Sequence, residues 1–349
     1  MNRSKSPSAS SGLSPVFIAS SGRGGSTWVL DMLADANNMR TVFEPLEPEK
    51  VKGAAPYSFA YVRECENRVD LKRFLQDTIY GNHGRLWTRY RIDRRNLWLG
   101  KSNFNSAKHL KFQFAKHIQI GRRLVRYRHQ NPDAKPMVKF IRANLMIGWL
   151  HKTFNAPVLL LLRHPGAVVE SKLRLWEGGW RFETTLKNFF SNRALREDYL
   201  NDLDIPHLST MSRAEGFATM WCIENMVALD HANRHGLCVT FYEKLLDDAR
   251  EWDRVTSELG LQHSPVDACL KKPSQQASVE KGQTEYYTGL KNKWMSRLNK
   301  KEIREIDRLL HRFGVGFYSM NDPEPKAVQF LHPTTFRLPH RPYFHKQPC

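Results

Sequence analysis

Long apolar runs are what this 349-residue chain most plainly lacks. No stretch reaches the ~18 uninterrupted apolar residues of a membrane-spanning helix, so no transmembrane segment is expected. Arg3 and Lys5 are basic, but no apolar stretch follows them, which argues against a secretory signal. Both absences predict a cytoplasmic protein whose only contact with a membrane would be peripheral. Cysteine is sparse: Cys65, Cys222, Cys238, Cys269 and Cys349 show no Cys-x2-Cys spacing. An odd, scattered set fits a reducing compartment better than a disulfide framework. No histidine spacing makes a metal site, so no metal is expected. Acidic residues are outnumbered, 35 Asp and Glu against 54 Lys and Arg, a net charge of +19. Such a charge says little about fold. It favours polyanionic partners: nucleotides, nucleic acid, acidic glycans or anionic lipid surfaces.

What is present is concentrated first in residues 15–36. Val16 to Ala19 is an apolar run long enough for one buried strand. A Ser/Gly loop follows, and Ser26 and Thr27 then open an apolar-periodic segment through Trp28, Val29, Met32 and Leu33. Strand, glycine loop and helix start form the geometry of a phosphate cradle, with backbone N–H groups aimed at an anion. The loop is not Gly-x4-Gly-Lys-Ser/Thr. No lysine precedes Ser26, and the cation, Arg23, lies three residues earlier.

Further strands are predicted at Arg40–Phe43, Met137–Ile141, Pro157–Leu162 and Leu237–Glu243, separated by helical segments. That alternation predicts an α/β fold: a P-loop-type parallel sheet of about five strands flanked by helices. Ligands in such sheets bind beyond the carboxyl ends of the strands. Pro45 is expected to hold Glu44 extended at one of these ends. Residues 1–14 are Ser/Pro-rich and expected to be disordered. One domain is expected over 15–320, with a basic helical insertion at about 50–135, followed by a Pro/His/Phe-rich tail over 321–349. Residues 85–128 carry thirteen Lys and Arg against the single acid Asp93, with Trp87, Tyr90 and Trp98 interleaved. Cations with flat aromatic faces suit an acidic sugar chain or single-stranded nucleic acid. Trp176, Trp180, Phe182, Phe189 and Phe190 are candidates for a cap facing an acceptor.

Arg23-Gly24-Gly25-Ser26-Thr27-Trp28 resembles the 5′-phosphosulfate loop of sulfotransferases that use 3′-phosphoadenosine 5′-phosphosulfate (PAPS). Gly24 stands where that family usually has Ser. Phe43-Glu44-Pro45-Leu46 resembles a segment that carbohydrate sulfotransferases carry about this far beyond the loop cation. Lys139 and Arg142 resemble their Lys-x-x-Arg segment. Arg163 and Ser171, eight residues apart, resemble the 3′-phosphate element, although His164 and Gly166 replace that element's usual Asp and second Arg. Tyr242-Glu243-Lys244-Leu245 resembles a late strand of the family. The resemblance runs over roughly residues 15–320 and implies the sulfotransferase fold.

It also implies an enzyme that moves a sulfuryl group from PAPS to an acceptor hydroxyl on a glycan, neutral or anionic. Glu44 would be the general base, with Glu47 and Glu49 as neighbouring rivals. Arg23 and Lys139 would be catalytic cations. Arg23, Gly24, Gly25, Ser26, Thr27, Trp28, Arg163, Ser171 and Tyr242 would bind the nucleotide, whose product is adenosine 3′,5′-bisphosphate. Lys281, Gly282 and Lys291 are candidates for a closing segment over the nucleotide. One rival is a P-loop small-molecule kinase, which needs the missing lysine and a Mg²⁺-holding Asp. Another is a basic nucleic-acid-binding protein built on residues 85–128; no nucleic-acid partner is expected if the sulfotransferase reading holds. A catalytically dead scaffold of the same fold is disfavoured by the intact set of Arg23, Glu44 and Arg163.

Overall fold

The computed structural model describes residues 13–93, 107–128, 130–175, 181–201, 203, 205–265 and 286–326, without the side chains of 107–116 and 286–290. Five parallel strands form one sheet: β1 Val16–Ser20, β2 Arg40–Phe43, β3 Pro136–Phe140, β4 Val158–Leu162 and β5 Cys238–Phe241. Their order across the sheet is β2-β3-β1-β4-β5. β1 is therefore central, with Ile18 paired to Lys139 on one side and to Leu159 on the other. The predicted α/β class and strand positions are those observed, except that Tyr242 and Glu243, expected on the last strand, open the helix Tyr242–Asp247 instead.

The two-residue period of a strand divides its side chains between two cores. Val16, Ile18, Met137, Leu159 and Leu161 pack in one core with α1 (Ser26–Ala36) and with Trp252 and Val255 of α11 (Ala249–Glu258). Phe17, Ala19, Val138, Phe140, Leu160 and Leu162 pack in the other. That second face carries α2 (Val69–Ile79), α5 (Ile147–Phe154), α6 (Pro165–Arg174), α7 (Glu183–Ser191) and α9 (Arg213–His235). Between α2 and β3 lie the short α3 (Arg85–Thr88) and α4 (Ala107–Arg128). A short α8 (Arg193–Leu195) follows α7, and α10 (Tyr242–Asp247) follows β5. Helices Tyr286–Arg297 and Lys300–Arg312 close the described chain.

α9 contributes more buried residues than any other described helix. Ser212 and Glu215 form a capping box at its start, and Gly236 ends it in the left-handed conformation, φ 59°. Gly216 lets the ring of Phe182 lie against it; a Cβ there would come within 2.4 Å of that ring. Phe182 and Phe189 are thus core residues, not parts of an acceptor-facing cap. Trp176 and Trp180 lie outside the described residues.

Cys65 is disulfide-bonded, whereas Cys222 and Cys238 are buried free thiols. The expectation of a wholly unpaired set fails at Cys65, and the case for a reducing compartment loses that support. No helix among the described residues is long and apolar enough to cross a membrane.

Candidate functional site

The parallel sheet brings the carboxyl ends of all five strands to one edge, and the predicted site residues follow those ends. Ser20 leads into the glycine loop, Phe43 into Glu44, Phe140 into Arg142, Leu162 into Arg163, and Phe241 into Tyr242. Lys139 lies on β3 itself, opposite Phe43 of β2.

The loop after β1 is tightly built. Gly24 N–H donates to the Ser21 carbonyl at 2.9 Å, and a Cβ on Gly24 would come within 2.0 Å of Ser20 Oγ. Gly25 has φ 88°, and a Cβ there would come within 2.4 Å of the Tyr242 ring. Two glycines are needed here, one for space and one for both space and backbone hand. Trp28 and Tyr242 meet edge to face at 5.7 Å, and Trp28 meets Trp252 at 5.2 Å. Trp28 and Tyr242 are buried, so both act on the loop from beneath.

Three residues far apart in sequence converge on this loop. Arg23 Nε donates to Ser171 Oγ at 2.9 Å, and Arg163 Nη1 donates to the Arg23 carbonyl at 2.9 Å. The Arg163 guanidinium lies 4.6 Å from the centre of the Tyr242 ring, a cation–π contact. Trp221 on α9 donates its Nε1–H to the Arg163 carbonyl at 3.1 Å, which fixes the end of β4. Arg23 has φ 73°, a left-handed conformation that costs a residue with a Cβ about 1–2 kcal/mol. Burial lowers its pKa, and the nearby charges of Arg163 and Arg174 lower it further. Among the described residues, neither Arg23 nor Arg163 has a carboxylate within ion-pair distance. The two carry like charge into one small space, which favours an anion between them.

The β2–β3 side is built differently. Glu44 accepts from Lys139 Nζ at 2.5 Å and from Arg142 Nη1 at 3.0 Å. Arg142 also pairs with Glu47 at 2.7 Å. Glu44 is not extended as Pro45 had implied: its φ is 43°, in the left-handed region. The chain turns sharply there, and the two ion pairs into which the carboxylate is delivered offset the strain. Burial alone would raise the Glu44 pKa, but Lys139 and Arg142 overcome it and hold the carboxyl below its usual range. Glu47, with less compensation, is raised. Glu49 is exposed and lies 3.7 Å from Lys50.

Sequence reasoning missed a buried layer between the two sides. Lys172, next to Ser171 on α6, and Glu224 on α9 are both fully enclosed and electrostatically coupled. Burial lowers the Lys172 pKa, Glu224 raises it, and the charges of Arg142 and Arg23 lower it further. Asn225 Nδ2 donates to Ser21 Oγ at 2.8 Å beneath the loop. The available signal was Glu224-Asn225 set in the otherwise apolar run Trp221 to Val227.

Glu243 has a structural post. Its carboxylate accepts from His164 N–H at 2.9 Å and from the Tyr318 hydroxyl at 2.8 Å. His164, in place of an Asp, stacks on Trp294 at 4.3 Å and bonds the Ser319 carbonyl at 3.1 Å. Lys291 pairs with Asp247 and with Glu324 rather than with the loop. Lys281 and Gly282 lie outside the described residues.

No protein-family model and no curated protein matches this chain. The solved structures similar to it include two sulfotransferase domains. One is the sulfotransferase domain from the Synechococcus PCC 7002 olefin synthase: 18% identity, 90% of this chain and 98% of that one covered, TM-score 0.40. The other is the sulfotransferase domain from the curacin biosynthetic pathway: 14% identity, 87% and 99% covered, TM-score 0.43. At these scores the fold rests on the sheet itself, and the chemistry on the residues at its edge.

Proposed function

We propose that this protein is a sulfotransferase that moves a sulfuryl group from PAPS to an acceptor hydroxyl. The observation that carries the proposal is the meeting of Arg23, Arg163 and Ser171, predicted from separate stretches of sequence and joined by hydrogen bonds at the loop. Two arginines that pair with no carboxylate among the described residues, a backbone loop that admits no side chain at Gly24 or Gly25, and the N-terminus of α1 fit a ligand with two phosphate groups. Arg23 and the loop N–H groups would hold the 5′-phosphosulfate, with Ser26 and Thr27 at the start of α1. Arg163 and Ser171 would hold the 3′-phosphate and select against ATP. Trp28 and Tyr242 support the loop rather than reach for the base, given their burial.

In the proposed step the acceptor oxygen attacks sulfur in line, the bond from sulfur to the bridging phosphate oxygen breaks, and the acceptor proton passes to Glu44. The leaving phosphate takes the bond's electron pair, and Arg23 offsets its charge. Glu44 is ionised at neutral pH, but while bound to Lys139 and Arg142 it is a weak base. Donor binding would draw Lys139 toward the sulfuryl oxygens. Each loss of a cation from Glu44 raises its affinity for the acceptor proton just where that proton is released. The acceptor class is the hydroxyl of a carbohydrate, which the Phe43–Leu46 segment implies.

The test is transfer of labelled sulfur from PAPS to a panel of neutral and acidic oligosaccharides, lipids, tyrosyl peptides and simple alcohols. Label on a sugar hydroxyl, with one bisphosphate released per transfer, is expected. Transfer only to a non-sugar class would correct the acceptor. Bisphosphate binding without transfer to any class would remove the enzyme reading.

A further inference from the structure

The opposite end of β2 holds a second arginine cluster that the proposed reaction does not use. A cleft of about 90 Å³ is lined by Arg40, Thr41, Tyr80, Asn82, Arg85 and Arg89, among others. One ordered water needs roughly 10–15 Å³, so the space takes several waters or one tetrahedral anion with part of its carrier. Arg40 opens β2 and Glu44 follows its end, four residues apart, about 13 Å along a strand. The cleft is therefore separate from the site at the carboxyl edge.

Three features give this cleft its chemistry. First, it is cationic without carboxylates: among the described residues, no carboxylate pairs with Arg40, Arg85 or Arg89. Burial lowers the Arg40 pKa, Arg89 lowers it further, and Asp133 is the weakest of the influences on it. Second, the Nε atoms of Arg40 and Arg89 are buried and have no hydrogen-bond partner. Third, the neighbouring hydroxyl protons are already spent. Thr41 donates to Gln130, Thr78 to the Phe74 and Leu75 carbonyls, and Thr88 to the Gly84 carbonyl. Arg85 donates to Asn82 Oδ1 at 3.2 Å, which leaves the amide nitrogen of Asn82 as a further donor. Arg85 and Arg89 flank Tyr90, at 5.7 and 5.6 Å from its ring centre. The donors left for a ligand are therefore guanidinium and amide N–H groups, the threonine oxygens keep only acceptor lone pairs, and the charged side chains that line the cleft are all cations.

We propose that this cleft binds a sulfate or phosphate ester group, apart from the transfer site. A tetrahedral oxyanion offers only acceptors, can take guanidinium forks from more than one side, and relieves the repulsion between Arg40 and Arg89. The assignment does not depend on the reaction proposed above, and it gives part of the basic segment a ligand.

The test is calorimetric titration of the full chain with inorganic sulfate, inorganic phosphate, a monosaccharide sulfate and a monosaccharide phosphate, with acetate and chloride as controls at equal ionic strength. The variants are Arg40→Gln, Arg89→Gln and, at the other edge, Arg163→Ala. Saturable binding of the esters that weakens about tenfold or more in Arg40→Gln and Arg89→Gln, and persists in Arg163→Ala, is expected. Arg89→Gln changes the cleft from outside the sheet, so it serves if Arg40→Gln, at the start of β2, fails to fold. The proposal is overturned by binding equal to that of acetate, by binding of the inorganic ions alone, or by loss in Arg163→Ala with retention in both cleft variants.

Discussion

Along the carboxyl edge of the sheet, the β2–β3 side and the β1–β4 side both gather cations, yet among the described residues only one side supplies their counter-charges. Lys139 and Arg142 share Glu44, Arg142 also takes Glu47, and Arg91 close by is locked to Asp31 at 2.5 Å. Arg23 and Arg163 have a hydroxyl, a carbonyl and an aromatic face instead. Matched charges in a buried place hold the fold together, because removing one partner strands the other. Unmatched charges at a sheet edge leave capacity for a ligand. The matched side should therefore respond to mutation in stability, and the unmatched side in binding. Glu44 is the exception, since it sits in the matched cluster and is also proposed to do chemistry.

Glu44→Gln tests that exception and should have the largest effect. Turnover should fall about 10²–10⁴-fold, the usual range for a positioned acid or base, while bisphosphate affinity stays within a few-fold. Turnover that survives would place the base elsewhere. Arg91→Ala should come next. It leaves Asp31 buried without its partner and should cost about 3–5 kcal/mol in chemical denaturation. A loss under 1 kcal/mol would mean that the matched side is not a stability element.

Acid should then act through two buried histidines on the second face of the sheet. Burial lowers His164 and His231 from 6.5 to about 4 each. In the folded protein they bind protons less readily than in the unfolded chain. Their contribution is complete above about pH 6.5, declines as pH falls, and is lost below about pH 4. A drop of a few kcal/mol across that window, reduced in His164→Gln, is expected in denaturation at stepped pH; a flat profile would refute it. The smallest effect belongs to Arg126→Ala. Its pair with Asp35 is exposed, at 2.7 Å, and should be worth under about 1 kcal/mol. A loss comparable with that of Arg91→Ala would erase the contrast between buried and exposed pairs.

The strands were legible because each is a short apolar run between turn signals, and parallel strands buried on both faces must look like that. The loop was legible because glycines beside a strand end have few other uses. Lys172 and Glu224 were hidden because a charge in a helix is ordinarily solvated, and only the packing of α6 on α9 brings these two together. Glu44 was located correctly in chain position but not in backbone shape: Pro45 disfavours helix before it, yet the pull of Lys139 and Arg142 selects a left-handed turn. Arg91 was counted as part of a basic face, whereas it is buried against Phe43, Tyr127 and Asp31. Charge counting cannot separate a cation that faces water from one that closes a core.

The most direct test of the unmatched side is calorimetric binding of adenosine 3′,5′-bisphosphate to the wild type and to Arg163→Ala, with ATP as control. Tight binding of the bisphosphate is expected, with a loss of about 10–100-fold in the variant, no comparable affinity for ATP, and a melting temperature within a few degrees of the wild type. Equal affinity for ATP, or bisphosphate binding untouched by Arg163→Ala, would contradict the assignment of this edge to the donor nucleotide.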